Sequence, residues 1–287
     1  MFIIKAFMDA IILLNKPKGI TSFDAVAKVR KTFHEKKVGH TGTLDPQAEG
    51  LLIIVLGRYT KFIPYCVCDH KRYEAVFQMS ILSDTQDIWG TVIDRKTPSV
   101  YTQQQLDEAA KQFTGEIMQI PPMYSAIKKD GKKLYELARQ GITVEREARK
   151  VIVEDLEVHH LHDDLYSLKA TVSSGTYIRT LIQDYAASLG ELAAMTSLTR
   201  TGIEGVMLDE AASLDELSQG KGIVSPLRVL NPEWPLIETD QAADIRNGKR
   251  IMLDTEHDRV ICVHEGEILA AYKREKGKMF HCVRGLF

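Results

Sequence analysis

Residues 39–57 read GHTGTLDPQAEGLLIIVLG. The second half, LLIIVLG, is a continuous apolar run of strand length, and it predicts a strand buried on both faces. The first half is a glycine-rich loop around one carboxylate, Asp45, with a proline directly after it. A residue before proline is pushed to extended backbone. Asp followed by Pro is also a common helix start, so the local reading of Asp45 is a cap on one short helical turn. Gly39, Gly42 and Gly50 permit close backbone approach or positive φ, which a ligand-facing loop needs. His40 supplies a flat ring that can stack on a base.

Outward from this stretch, Ile11–Leu14 reads as a strand. Ser22 is positioned to cap a helix that carries Val26, Val29 and Phe33 inward. RYEAVFQMSIL alternates, so Tyr73, Ala75, Phe77, Met79 and Ile81 share one strand face. SDTQDIWGTV is a polar loop leading to another strand. Thr102 and Gln105 form a capping box for a helix with an apolar stripe of Leu106, Ala109, Ala110 and Phe113, ended by Gly115. Residues 120–150 carry prolines, a basic run and a short helix at Leu134, Leu137 and Ala138, and read as a long surface insertion. VIVEDLEVHHL and YSLKATVS are alternating strands that can pair. SSGTYIRTLIQDYAASLG predicts a helix capped by Thr176, with Ile178, Leu181, Ile182, Tyr185, Ala186 and Leu189 as its stripe and Gly190 as its stop. Residues 191–235 show mixed character. Pro226, Pro232 and Pro235 mark a boundary before a small unit of one short helix and strands joined by E-G and K-G turns. Helices alternate with strands that also run in consecutive pairs. The fold class is therefore mixed α/β (α+β), a largely antiparallel sheet flanked by helices, with a small β-rich C-terminal domain.

The 287-residue chain has ordinary globular composition, 44% hydrophobic and 26% charged. No run reaches the ~18 apolar residues of a membrane helix. The start MFIIKAFMDAIILLN is broken by Lys5 and Asp9 and does not read as a signal peptide. The formal net charge is −2, yet residues 1–80 hold twelve Lys/Arg against seven Asp/Glu, residues 128–150 eight against four, and residues 204–258 five against twelve. Such asymmetry permits a basic face for a polyanion, although solvated surface has the same composition. Cys66, Cys68, Cys262 and Cys282 lack a C-x-x-C pair and read as reduced cytosolic thiols. His159, His160 and His162 lack spaced partner ligands and read as a solvated strand end rather than a metal centre.

Arg179 lies in the first turn of a predicted helix, where the N-terminus favours anions. Beside Asp45 it would keep the carboxylate ionised; a structural ion pair at the surface fits the same residue. Tyr73 sits beside Lys71 and Arg72 at the start of an alternating strand, and without other information it reads as core packing or a rim residue rather than a functional one. The stretch GHTGTLDP lacks the lysine and hydroxyl of a phosphate loop, and the chain has no G-x-G-x-x-G, so no cofactor is expected.

GHTGTLDPQAEGLLIIVLG closely resembles the catalytic motif of the TruB-type tRNA pseudouridine synthases. NKPKGITSFDAVAKVRK, HKRYEAVFQ, IPPMYSAIKKDGKKLYELARQG, SSGTYIRTLIQDYAASLG and SLTRTGIEGV resemble further segments of that family, in family order, over roughly residues 8–230. The resemblance implies a pseudouridine synthase catalytic domain over 1–230, an RNA-contacting insertion at about 120–150, and a PUA-like domain over 236–287. It implies Asp45 as the catalytic aspartate, Arg179 as its partner, and Tyr73 as the residue that stacks on the target base and takes part in proton removal. It implies His40 in the T-loop, Tyr177 and Leu198 lining the pocket, and Lys16 with Pro17 supporting the loop. The family's first segment starts near Met8, so MFIIKAF reads as an extension or an upstream start. SDTQDIWG varies the family's loop after the tyrosine strand. The implied activity is isomerisation of uridine 55 in the tRNA T-arm stem-loop, without a cofactor, by a monomeric cytoplasmic protein. A guide-RNA-dependent synthase, whose lysine-rich tails are missing here, and a tRNA-folding chaperone with incidental catalysis are the rival readings. A metal hydrolase built on the histidine cluster is the third.

Overall fold

The computed structural model describes residues 9–67 and 69–286. These form two compact units: the described residues of Met1–Cys68 with Ile203–Phe287, and Asp69–Gly202. The fold is mixed α/β and largely antiparallel.

In the first unit, strand Ala10–Lys16 pairs antiparallel with Glu49–Leu56, from Ala10 opposite Leu56 to Lys16 opposite Gly50. Ile223–Val224 adds to the other side of Ala10–Lys16, and Val38–His40 pairs with Glu49–Leu56. Leu51 to Leu56 are all fully buried, as expected of an apolar run covered on both faces. Ile11, Leu13, Leu51, Ile53 and Val55 pack with Ile203, Val206 and Val229 in one core.

Helix Ser22–Phe33 buries Val26, Val29 and Phe33, but its cap is Thr21 rather than Ser22. Thr21 accepts from Asp24 N–H while Asp24 accepts from Thr21 N–H. This reciprocal pair satisfies two end donors at once, and Ser22 has no such partner three residues on. The DPQ segment is not a helical turn either: Ala48 N–H donates to Asp45 O (3.1 Å), closing a single turn between strands.

The C-terminal part of this unit is a five-stranded sheet ordered Leu236–Glu238, Arg259–His264, Glu267–Lys276, Met279–Gly285, Ile251–Met252. With helix Ala242–Arg246 it encloses its own core around Ile245, Val260, Cys262, Tyr272 and Phe280.

In the second unit, Ala193–Ile203 lies beside His70–Met79, followed by Leu165–Ser173, Arg149–His162 and Gly115–Gln119. The last three contacts are antiparallel. Tyr73, Ala75, Phe77 and Met79 are buried together as the alternation requires. Ile81 belongs to a separate strand, Ile81–Ser83, because Ser80 adopts φ 67° between the two. Tyr185 of helix Ile178–Ser188 meets Phe77 edge-on at 6.3 Å and donates to Leu106 O of helix Gln103–Lys111.

Three predicted helix details shift. Helix Gln103–Lys111 stops before Phe113, whose ring still reaches Tyr185 (6.2 Å), and Gly115 opens the next strand at φ 97°. Tyr177 rather than Thr176 is the N-cap of the helix that follows. Leu189 is its half-buried C-cap. Within the insertion, Lys128–Lys129 pairs with Lys132–Lys133 and leads into helix Leu134–Ala138.

Candidate active site

Asp45 is half-buried in a loop fastened on both sides of it. Before it, Leu44 N–H donates to Ser22 Oγ (2.9 Å) and Ser22 Oγ–H donates to Leu44 O (3.1 Å). After it, Pro46 O accepts from Gly19 N–H (2.9 Å) and from Lys16 Nζ (3.4 Å). Lys16 is fully buried, and its ammonium also donates to Pro17 O (2.9 Å) and Ile20 O (2.8 Å). A buried charge needs such partners. Here they are backbone carbonyls, so the lysine ties the turn after Ala10–Lys16 to the turn after Asp45. Pro17 takes part through its carbonyl, and its ring is exposed.

His40 ends Val38–His40 opposite Ile54, and the ring of Phe23, which is 73% exposed, meets it edge-on at 5.7 Å. Two of the loop's glycines have separate reasons. A Cβ on Gly39 would come within 2.7 Å of Ile63 Cδ1. Gly50 sits at φ 106°, a conformation that L residues resist.

The second unit holds Tyr73, Tyr177, Arg179 and Leu198. Tyr73 is 8% exposed, opposite Ala170. Leu198 is buried on the neighbouring strand Ala193–Ile203. Tyr177 offers no capping side chain, and Gln119 supplies a substitute: Tyr177 N–H donates to Gln119 Oε1 (2.8 Å) and Gln119 Nε2 donates to Tyr177 O (3.1 Å). Arg179 is buried and donates through Nη1 to Thr85 O (2.8 Å) and through Nη2 to Tyr124 O (3.0 Å). These two carbonyls fix the plane of the guanidinium. The Thr85 loop is itself braced. Asp87 accepts from Thr85 Oγ1 (2.6 Å) and Trp89 N–H (3.1 Å), and Asp84 from Thr91 N–H (2.7 Å) and Tyr124 Oη (3.3 Å).

The sequence-derived residues thus fall into two sets: Lys16, Pro17, His40 and Asp45 in one unit, Tyr73, Tyr177, Arg179 and Leu198 in the other. Sequence reasoning did not single out Ser22 as a loop fastener, nor Gln119, Thr85 and Tyr124. Their partners lie 22 to 94 residues away along the chain, and no local pattern encodes them. His159, His160 and His162 sit at the exposed end of Arg149–His162, where His160 Nε2 and His162 Nδ1 contact Asp163. Among the described residues no group of His, Cys, Asp or Glu could hold a metal ion.

A family model described as TruB family pseudouridylate synthase (N terminal domain) matches residues 30–178. A protein named tRNA pseudouridine synthase B from Bacillus pumilus (strain SAFR-032) is 38% identical over 293 residues, covering 94% of each chain. The chain belongs to the TruB family of pseudouridylate synthases. A further TruB relative of the same name, from Stutzerimonas stutzeri (strain A1501), is 42% identical and covers 82% of this chain and 79% of its own. The TruB family model takes in His40, Asp45, Tyr73 and Tyr177, and the 94% coverage of the Bacillus pumilus relative takes in Arg179 and Leu198 as well. A chain from a structure called "Crystal Structure of a Cbf5-Nop10-Gar1 Complex" has a TM-score of 0.70, covering 97% of this TruB-family chain and 85% of its own at 23% identity. That likeness is one of fold. Among the described residues no helix is long and apolar enough to cross a membrane.

Proposed function

We propose that this protein isomerises uridine 55 in the T-loop of tRNAs to pseudouridine, as a monomer in the cytoplasm and without a guide RNA. The observation that carries the reading is the turn at Asp45, held at Leu44 by Ser22 and at Pro46 by Lys16 and Gly19. A carboxylate so placed is preorganised, and preorganisation accounts for much of what an active site contributes.

The reaction breaks the N1–C1′ bond of uridine, turns the uracil and rejoins it through C5, whose proton is then lost. It consumes no redox equivalent. Asp45 is the catalytic carboxylate, and Arg179 and Tyr73 are the further catalytic residues. The target base lies inside the folded T-loop and has to be extruded, at a cost of a few kcal/mol. Stacking on an aromatic ring returns roughly 1–3 kcal/mol per base. His40, steadied by Phe23, stacks within the opened loop, and Tyr73 stacks on the extruded uracil and assists removal of the C5 proton. Tyr177 and Leu198 line the pocket.

The test is pseudouridine mapping of an unmodified tRNA transcript incubated with the protein and no other component. Modification at position 55 is expected. Asp45→Asn protein should bind a T-arm stem-loop as wild type does and yield no pseudouridine by mass spectrometry of derivatised RNA. Turnover by that variant would remove Asp45 from its role.

A further inference from the structure

Residues 83–90, SDTQDIWG, are the stretch where this chain varies the family's loop. The loop holds Thr85 O against Arg179 Nη1 (2.8 Å). That task leaves two large apolar side chains unaccounted for, Ile88 and Trp89, each 42% exposed.

A lone apolar side chain at a surface is ordinary. Three observations set Trp89 apart. First, the backbone on both sides of it is pinned. Ile88 N–H donates to Met195 O (3.0 Å) and Met195 N–H to Gln86 O (3.1 Å), which bridges Asp87 to strand Ala193–Ile203. Trp89 N–H donates to Asp87 Oδ1 (3.1 Å). Asp84 N–H donates to Thr91 O (3.1 Å), and Thr91 N–H returns to Asp84 Oδ1 (2.7 Å). A ring carried on such a loop has little backbone freedom left to lose when a flat ligand lies on it. Second, the exposed residues of the loop are Asp84, Ile88 and Trp89, and Asp84 is committed to Thr91 and Tyr124. What remains for a ligand is one indole and one aliphatic side chain, a surface for the π-face of a base and not for a phosphate. Third, Trp89 follows Thr85 by four residues, at most about 14 Å of chain. The indole is therefore tethered within a nucleotide or two of the base that Arg179 attends.

We infer that Trp89 is an RNA-binding residue, and that an unpaired base next to the target uridine stacks on its indole, a contact that rests on the RNA-modifying reading above. Stacking adds affinity without reading sequence, because every base has a π-face.

The experiment uses the full chain, which carries two tryptophans, Trp89 and Trp234. In Trp234→Phe protein the emission of Trp89 should be quenched by an unmodified T-arm stem-loop and stay unchanged with a duplex of the same stem lacking the loop. Trp89→Ala should raise Kd for the stem-loop on the order of tenfold. The slope of log K against log [salt] should stay at its wild-type value, because no phosphate contact is lost. Trp89→Tyr should restore most of the affinity and Trp89→Leu little of it. In stem-loops made abasic at one position at a time, one position should bind wild-type and Trp89→Ala protein alike. Unquenched emission together with an unchanged Kd in Trp89→Ala would overturn the contact. Full recovery in Trp89→Leu would overturn stacking in favour of apolar area alone. Self-association in sedimentation that Trp89→Ala abolishes, with RNA binding intact, would assign the indole to a second copy of the chain instead. If the wild-type protein forms no pseudouridine while the abasic series shows its one dependent position, uridine isomerisation falls and the stacking contact stands. If pseudouridine forms and Trp89→Ala binds as wild type does, the contact falls and the isomerisation stands.

Discussion

Ser22 carries one hydroxyl and two hydrogen bonds, and both end on Leu44. Its place in the sequence suggested a helix cap. Thr21 took that role because it alone has a carboxylate three residues ahead, so the neighbouring hydroxyl was left to fasten the Asp45 loop. The T-S-x-D spelling held enough information to rank the two caps. Nothing local said what the displaced serine would touch, since its partner is 22 residues away. Ser22→Ala leaves the buried Leu44 N–H without its acceptor, a loss of roughly 1–3 kcal/mol in urea unfolding. The same change loosens the carboxylate, so kcat on a T-arm substrate should fall on the order of 10–100-fold, with KM little changed. Ser22→Thr, which keeps a hydroxyl, should recover much of both. A variant with full kcat would show that the clamp on Leu44 does not aim Asp45.

At the scale of elements, segments whose side chains answer to one environment were legible. LLIIVLG is apolar throughout because both its faces are covered, and RYEAVFQM alternates because one face is. Ala193–Ile203 is a strand with no legible period. Its sequence AAMTSLTRTGI mixes threonines, a serine and the buried Arg200 with apolar residues, so neither period shows. The loop glycines belong to this scale as well. Gly39 lies on Val38–His40, against the 3₁₀ segment Gly57–Tyr65 that carries Ile63. Gly39→Ala should push Ile63 off its rotamer at about 0.5–1.5 kcal/mol. Ile63→Val removes the Cδ1 atom in the way, so in a double-mutant cycle the pair should cost less than the sum of its parts. Strict additivity in urea midpoints would mean that the close approach is not what Gly39 is for.

At the scale of the molecule, contacts gather residues 203–287 with the N-terminal stretch and leave 69–202 as the second unit. Return paths of that kind depend on long-range burial, which periodicity does not report. Stability against acid is another whole-chain property, and Glu191 is a prominent contributor in the second unit. Burial alone would raise its carboxyl, but hydrogen bonds from Ser99, Lys96 and Tyr101 outweigh it and hold the group below its ordinary value of 4.5. A carboxylate lowered on folding contributes stability in full above its unfolded value and loses it as pH falls through the folded one. Glu191→Gln should therefore unfold at lower urea than wild type at neutral pH, and the two midpoints should converge as pH drops below 4.5. Curves that stay parallel would assign the stabilisation to shape alone.

Cys262 stands in the core of the C-terminal sheet, where burial pushes its thiol up to about 12. Only a thiolate attacks an alkylating reagent, so in the closed protein this sulfur is both out of reach and in the wrong protonation state. It is a built-in stopwatch. Alkylation at Cys262 would then report openings of that sheet, and Cys282, which is only half-buried, serves as the surface reference. Peptide mass mapping under native conditions should find Cys282 modified first and Cys262 at a rate that climbs with sub-denaturing urea. Equal rates at the two sulfurs would mean that the sheet opens as readily as its surface breathes.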